Sequence, residues 1–202
     1  MARLLVVNQG SKTCFVKTKH LQYFLSFREL GHGTFPLRWT ADIQPMLDQG
    51  LYDEVDLYFM AYIERNPTDS ISLCLYGYFL HFQRNYEKAE RIFLQCLVLD
   101  PLNVICLNYY TDLLSAQKRW PMAYKIAHQA FRFDNTRAWT IGSYCNVLRH
   151  LGRKQEVREV CEFALSLSSL NDADTWMTLA DCCWDLGLHP LTRQIFETAL
   201  EV

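Results

Sequence analysis

Leu51-Tyr-Asp-Glu-Val-Asp-Leu-Tyr-Phe-Met-Ala-Tyr-Ile-Glu-Arg-Asn-Pro67 and Asn85-Tyr-Glu-Lys-Ala-Glu-Arg-Ile-Phe-Leu-Gln-Cys-Leu-Val-Leu-Asp-Pro101 decide the fold of this chain. Superimposed, they place Tyr52 on Tyr86, Phe59 on Phe93 and Pro67 on Pro101, each pair 34 residues apart. Self-similarity at a fixed period of this size marks a stacked-repeat architecture. Extending the register divides the chain into units at 36–69, 70–103, 104–137, 138–172 and 173–202. The fourth unit carries one extra residue in the turn Ser166-Leu-Ser-Ser-Leu-Asn171, and the fifth lacks its last turn.

Each unit reads as two helices. In the second unit Leu73, Tyr76, Gly77 and Leu80 recur at i, i+3, i+4 and i+7, which aligns them on one helical face. The anchors continue as Leu107, Ile141 and Trp176, after Trp39 in the first unit. The following helix repeats a small, a large and a small residue, as in Ala89, Phe93 and Cys96. Small residues let two helices approach closely, and the prolines at 67 and 101 end the second helix because they offer no N–H. Gly50, Gly152 and Gly187 fall between the two helices, where a positive φ is expected. One such hairpin cannot bury its own apolar face, so neighbours must complete the core.

This pattern of Trp/Leu, Leu, small and Tyr/Leu on one helix, then Ala, Phe, Ala and a closing Pro, resembles the tetratricopeptide repeat family. Five units in phase from residue 36 onward carry the resemblance. Departures are Asp42 and Ile43 in the first unit, Ala127 in the third, and Val157 and Cys161 in the fourth. The resemblance implies an all-α antiparallel helix-hairpin solenoid, a TPR-like superhelix, that acts as a scaffold or adaptor rather than as an enzyme. It also implies that the first helices line a concave groove holding an extended or helical segment of a partner. Mapped onto this chain, the groove positions are Gln44, Cys74, Tyr78, His81, Asn108, Asp112, Trp139, Asn146, Arg149, Asp181 and Trp184. Family members that clamp C-terminal carboxylates place Lys, Arg and Asn where this chain has Thr40, Gln44, Leu75, Ile105 and Tyr109, so the basic residues are absent. A basic or apolar partner segment therefore fits better than a carboxylate motif. The small repeat chaperones of type III secretion are similar in kind, although they carry fewer repeats and a different head.

Residues 1–35 lie outside the repeat. Arg3-Leu-Leu-Val-Val and Thr13-Cys-Phe-Val-Lys-Thr, joined by Asn8-Gln-Gly-Ser, predict a short β-hairpin or an irregular segment. His20 to Leu30 predicts a helix that caps the first repeat. Up to residue 38 the chain holds Arg3, Lys12, Lys17, Lys19, Arg28 and Arg38 against Glu29, a formal +5, which leaves −7 for the rest. Such a basic head could contact nucleic acid, a lipid surface or the chain's own acidic body. Nucleic acid is the disfavoured partner. The last residues, Ile195 to Val202, add no polar capping helix, so a homodimer through that end is an expectation.

Other chemistry is not written in the sequence. Phosphate-loop, nucleophile-elbow and His-Glu-x-x-His motifs are absent, as is Cys-x-x-Cys. No catalytic residue, metal or cofactor is expected. Of the 8 cysteines, Cys96, Cys145, Cys161 and Cys183 fall on small or core positions, where a free thiol acts as a small hydrophobe. Cys74, Cys106 and Cys182 fall off that pattern and could be reactive, although passive thiols are the preferred reading. No apolar run approaches the roughly 20 residues of a membrane span. The four-residue apolar run near the start is shorter than the roughly 7–15 residues of a signal-peptide core. A cytoplasmic protein is the expectation.

Overall fold

The computed structural model describes the backbone of residues 5–9, 12–16 and 37–200, and side chains from Ile43 onward. The helix expected at His20–Leu30 lies outside the described residues. Strands β1 (Leu5–Gln9) and β2 (Lys12–Val16) pair antiparallel with Leu5 opposite Val16 and Gln9 opposite Lys12. Asn8 and Gln9, expected in the turn, belong to β1, so only two residues separate the strands. Two is the loop length that best matches the twist of paired strands.

Among the described residues ten helices follow: α1 (Leu37–Asp48), α2 (Tyr52–Arg65), α3 (Ser70–Phe82), α4 (Tyr86–Leu99), α5 (Val104–Ala116), α6 (Trp120–Phe133), α7 (Ala138–His150), α8 (Lys154–Leu165), α9 (Ala173–Asp185) and α10 (His189–Ala199). The chain divides into two compact units, Met1–Tyr62 and Ile63–Val202. In the first, Ile43, Leu47, Val55 and Phe59 are buried. The second holds the helix pairs α3–α4, α5–α6, α7–α8 and α9–α10. Their first helices begin at residues 70, 104, 138 and 173, so the period of 34 lengthens by one residue at the Ser166–Asn171 turn.

Local chemistry sets the helix starts. Asp69 accepts from the backbone N–H of Ile71 and Ser72 at 3.1 and 3.2 Å, Asn103 from Cys106 at 3.0 Å, and Asp172 from Thr175 at 2.8 Å. Each satisfies orphan N–H groups of a first helix. Inside, Leu73, Leu107, Ile141 and Trp176 are fully buried, with Ala89, Ala123 and Val157 on the facing helices. Gly77 is the tightest approach. A Cβ there would lie 2.6 Å from the Phe93 ring.

Hairpin turns repeat a backbone conformation rather than a residue. Gly50, Gly152 and Gly187 have φ of 73°, 69° and 68°, and Arg84 and Lys118 take φ of 61° and 58° at the equivalent places. The left-handed region costs an L-residue about 1–2 kcal/mol. The sequence hid this, because glycine occupies only some of the sites. Lys118→Gly is expected to stabilise by about 0.5–1 kcal/mol. Gly152→Ala, where a Cβ meets nothing within 4 Å, isolates backbone strain and costs about 1 kcal/mol. Thermal denaturation followed by circular dichroism checks both signs.

An ion pair ties the second and third repeats together. Arg119 donates from two nitrogens to both oxygens of Glu90, at 2.6 and 2.9 Å, and the Tyr110 hydroxyl donates to Glu90 at 2.8 Å. The fork–fork geometry orients α4 against the start of α6. The Arg119 guanidinium beside it holds the Glu90 carboxyl below the usual range.

Candidate functional site: the inner face of the first helices

In the unit from Ile63 onward, α3 packs on α5, α5 on α7 and α7 on α9. Among the second helices only α8 and α10 make comparable contact. A stack whose first helices touch in succession while its second helices spread apart curves with the first helices inside. The inner face therefore carries the side chains that α3, α5, α7 and α9 turn away from their own partners.

An aromatic row runs across three repeats along the first helices α3, α5 and α7. The Tyr78 and Tyr109 rings lie 4.3 Å apart, and Tyr109 meets the edge of Trp139 at 4.6 Å. Tyr109 is buried beneath, while Tyr78 and Trp139 are partly exposed. Asp112, one turn after Asn108 on α5, accepts from the Trp139 indole and from Ser143, the latter at 3.4 Å. Burial pushes its carboxyl up to about 7, against the pull of those two bonds. Asn108 is 1% exposed. Its amide donates to Thr140 Oγ1 at 2.9 Å, and its Oδ1 has no partner.

A second group lies along α7 and α9. Arg149 pairs with Asp185 and donates to Asn146 Oδ1 at 2.7 Å, while its buried Nε has no partner. Asp181 is exposed, and Trp184, 61% exposed, meets His189 edge-on at 4.9 Å. His81 on α3 packs beside Tyr86 at 5.7 Å, its Nδ1 buried and unpartnered. Burial lowers its pKa to about 4, so it is neutral at pH 7.

The expected groove residues thus sort into distinct environments. Tyr78, Asn108, Asp112 and Trp139 come together; Asn146 and Arg149 form a second group; Trp184 stands out from the surface. Gln44, in the first unit, donates to Asp48 at 2.7 Å. Cys74 is buried, and burial pushes its thiol up. Ser143 and Asp185 escaped the sequence reading, and Tyr109 entered it only as a position lacking the basic residue of a carboxylate clamp. Tyr109 carried a signal, since it lies three residues before Asp112 and so on a neighbouring stripe of the same helix.

The placement of three cysteines off the core is corrected. Cys74, Cys106 and Cys182 are all buried. A first helix inside the stack is covered by its own partner and by the hairpins on both sides. Its apolar surface is therefore wider than one stripe, and on α3 it runs from Ser72 to Gly77 without a break. Seven described cysteines are free and buried, with Cys161 Sγ 3.4 Å from Cys183 Sγ and 3.9 Å from Cys145 Sγ. Among the described residues no group of His, Cys, Asp and Glu is placed to hold a metal ion, and no helix is long and apolar enough to cross a membrane.

Residues 58–91, one full period, match the tetratricopeptide repeat family model. That stretch carries a tetratricopeptide repeat. The fold of the chain is shared by MamA from Desulfovibrio magneticus RS-1 at 16% identity and a TM-score of 0.63, over 78% of this chain and 89% of that one. PilF of Pseudomonas aeruginosa is similar at 18% identity and a TM-score of 0.64, covering 78% and 72%. YrrB, described as a TPR protein with an unusual peptide-binding site, is similar at 18% identity and a TM-score of 0.58, covering 71% and 73%. No curated protein matches the chain in sequence.

Proposed function

We propose that this repeat protein is a non-catalytic scaffold that holds a segment of a partner protein along the inner face of α3, α5, α7 and α9. One observation carries the reading. Among the described residues, the buried side-chain polar atoms left without a partner are His81 Nδ1, Asn108 Oδ1 and Arg149 Nε, and all three lie on first helices, α3, α5 and α7. Buried polar groups are satisfied in the great majority of folded proteins, so three exceptions on successive first helices support an external hydrogen-bonding chain along those helices. The aromatic row beside them supplies rigid apolar contact at low entropic cost. Among solved relatives in fold, YrrB has a peptide-binding site by its description, which agrees with this use of the architecture.

The partner segment is basic or apolar. The charged residues on these four helices are Asp112, Asp174, Asp181 and Asp185 against one arginine, Arg149. A segment ending in carboxylates meets the wrong sign of charge. The buried free thiols suit a reducing compartment, in keeping with a cytoplasmic scaffold.

Site-specific photo-crosslinking in cells tests the surface. A benzophenone side chain in place of Trp184 or Tyr78 is expected to yield discrete adducts with a partner. The same group at Val98 or Arg158, exposed on second helices, is expected to yield none. Equal adducts from both faces would remove the inner face as the binding surface.

A further inference from the structure

We infer that the inner face contains a dedicated subsite for one basic side chain, lysine or arginine, of the partner segment, with Asp112 and Asn108 as its acceptors and Tyr78 and Trp139 as its walls. The inference rests on the scaffold reading above and makes it specific to a residue class.

Asp112 is the exceptional carboxylate of this face. Asp185 is neutralised by Arg149, and Asp181 is bathed in solvent. Asp112 is largely buried, and the two side chains that donate to it, Trp139 and Ser143, are neutral. An ionised carboxylate accepts about four hydrogen bonds, so lone pairs are left over. A buried anion without a counter-charge is unfavourable, and a cation arriving from outside reverses that.

Asn108 supplies the independent sign. It precedes Asp112 by four residues on α5, which puts the two side chains on one face of the helix. Its amide nitrogen is already committed to Thr140, leaving Oδ1 as an unmet acceptor in a buried place. The pair therefore offers acceptors one turn apart and no spare donor. Lysine brings three donors and no acceptor, and arginine five and none, which is the complementary set. A backbone carbonyl or a carboxylate brings only acceptors and is rejected. The Trp139 ring, whose indole donates to the carboxylate, and Tyr78, next in the same aromatic row, add attraction for a cation over their faces. Acidic first helices draw such a side chain to the groove before contact.

The test uses two short peptides, acetyl-Gly-Ala-Arg-Ala-Gly-amide and its citrulline counterpart, which keeps the shape of arginine and lacks its charge. Each is titrated into the intact chain while the indole N–H resonance of Trp139 is followed by NMR. The arginine peptide is expected to move that resonance with saturation. The citrulline peptide is expected to need at least a tenfold higher concentration for the same shift. Asp112→Asn, with the indole still hydrogen-bonded, should weaken the arginine peptide at least tenfold, and Asn108→Leu several-fold. Equal midpoints for the two peptides, no saturable shift with arginine, or an unchanged midpoint in Asp112→Asn would overturn the subsite. If Asp112→Asn does not fold, the comparison of the two peptides on the unsubstituted chain decides alone. Failure here is separable from failure of the scaffold reading, because crosslinking from Trp184 does not depend on Asp112.

Discussion

Trp176→Ala is expected to destabilise the chain by about 3–5 kcal/mol, the range for removing a fully buried large aromatic side chain. Trp176 is 1% exposed, and its indole nitrogen donates to the Leu170 carbonyl at 3.1 Å. The substitution therefore leaves a cavity and strips a buried carbonyl of its donor. The second loss adds about 1 kcal/mol. Leu170 lies in the longer turn that joins α8 to α9, so the indole pins the last hairpin to the one before it. Stability in a repeat stack is approximately a sum of units and their interfaces. The damage should accordingly be local. Hydrogen exchange is expected to accelerate first in Ala173–Asp185 and His189–Ala199, with α3 to α6 protected until higher denaturant. Trp176→Phe keeps most of the volume and loses the hydrogen bond, and should cost about 1–2 kcal/mol. Uniform acceleration across all helices would show that the array opens as one unit.

Gly77→Leu is the second large effect. Where a Cβ would stand, Phe93 already has ring atoms at 2.6, 2.7 and 3.1 Å. Both residues are buried at the crossing of α3 and α4, so neither helix can yield without opening the hairpin. Overpacking of this kind costs about 1–3 kcal/mol and sometimes more, and leucine at a glycine-sized gap belongs at the upper end. Phe93→Ala alone costs about 3–5 kcal/mol through its cavity. The double substitution Gly77→Leu, Phe93→Ala should cost less than the sum, since the new side chain fills the vacated space. A coupling of at least about 1 kcal/mol by urea denaturation is the expected sign of direct contact. Gly142→Ala is the contrast. Its added Cβ would meet Thr175 and Thr178 at 3.8–3.9 Å, an ordinary contact, and alanine gains about 1 kcal/mol over glycine in a helix. It should be neutral or stabilising, since Gly142 lies three residues before Cys145, which holds the small position of that repeat.

These two glycines show where sequence reading stops. The period separates a small residue from its neighbours in rank, but the room at each site depends on what the facing helix presents. Gly77 faces a phenylalanine, Gly142 two threonines. The positive-φ turns make the same point in reverse. Gly50, Gly152 and Gly187 announced them, whereas Arg84 and Lys118 adopt the same conformation without any residue signal, because the closure of the hairpin imposes it. Cysteines behaved likewise. Positions 74, 106 and 182 lie off the stripe that a single hairpin buries, and they disappear from solvent only once hairpins stack on both sides.

The sequence by itself determined the repeat, the stripe of Leu73, Leu107, Ile141 and Trp176, and the lack of motifs for catalysis. All of these are properties of about 34 consecutive residues, where helical periodicity and local hydrogen bonding decide the outcome. Only the tertiary structure decided the site. Tyr78, Tyr109 and Trp139 form one row, and Asn108 meets Thr140 32 residues away. Arg149 and Asp185 likewise pair from different repeats. Each contact joins side chains about one period apart. Whether they meet depends on the rotation of one hairpin against the next, which the summed packing of the whole stack sets and no single stretch encodes.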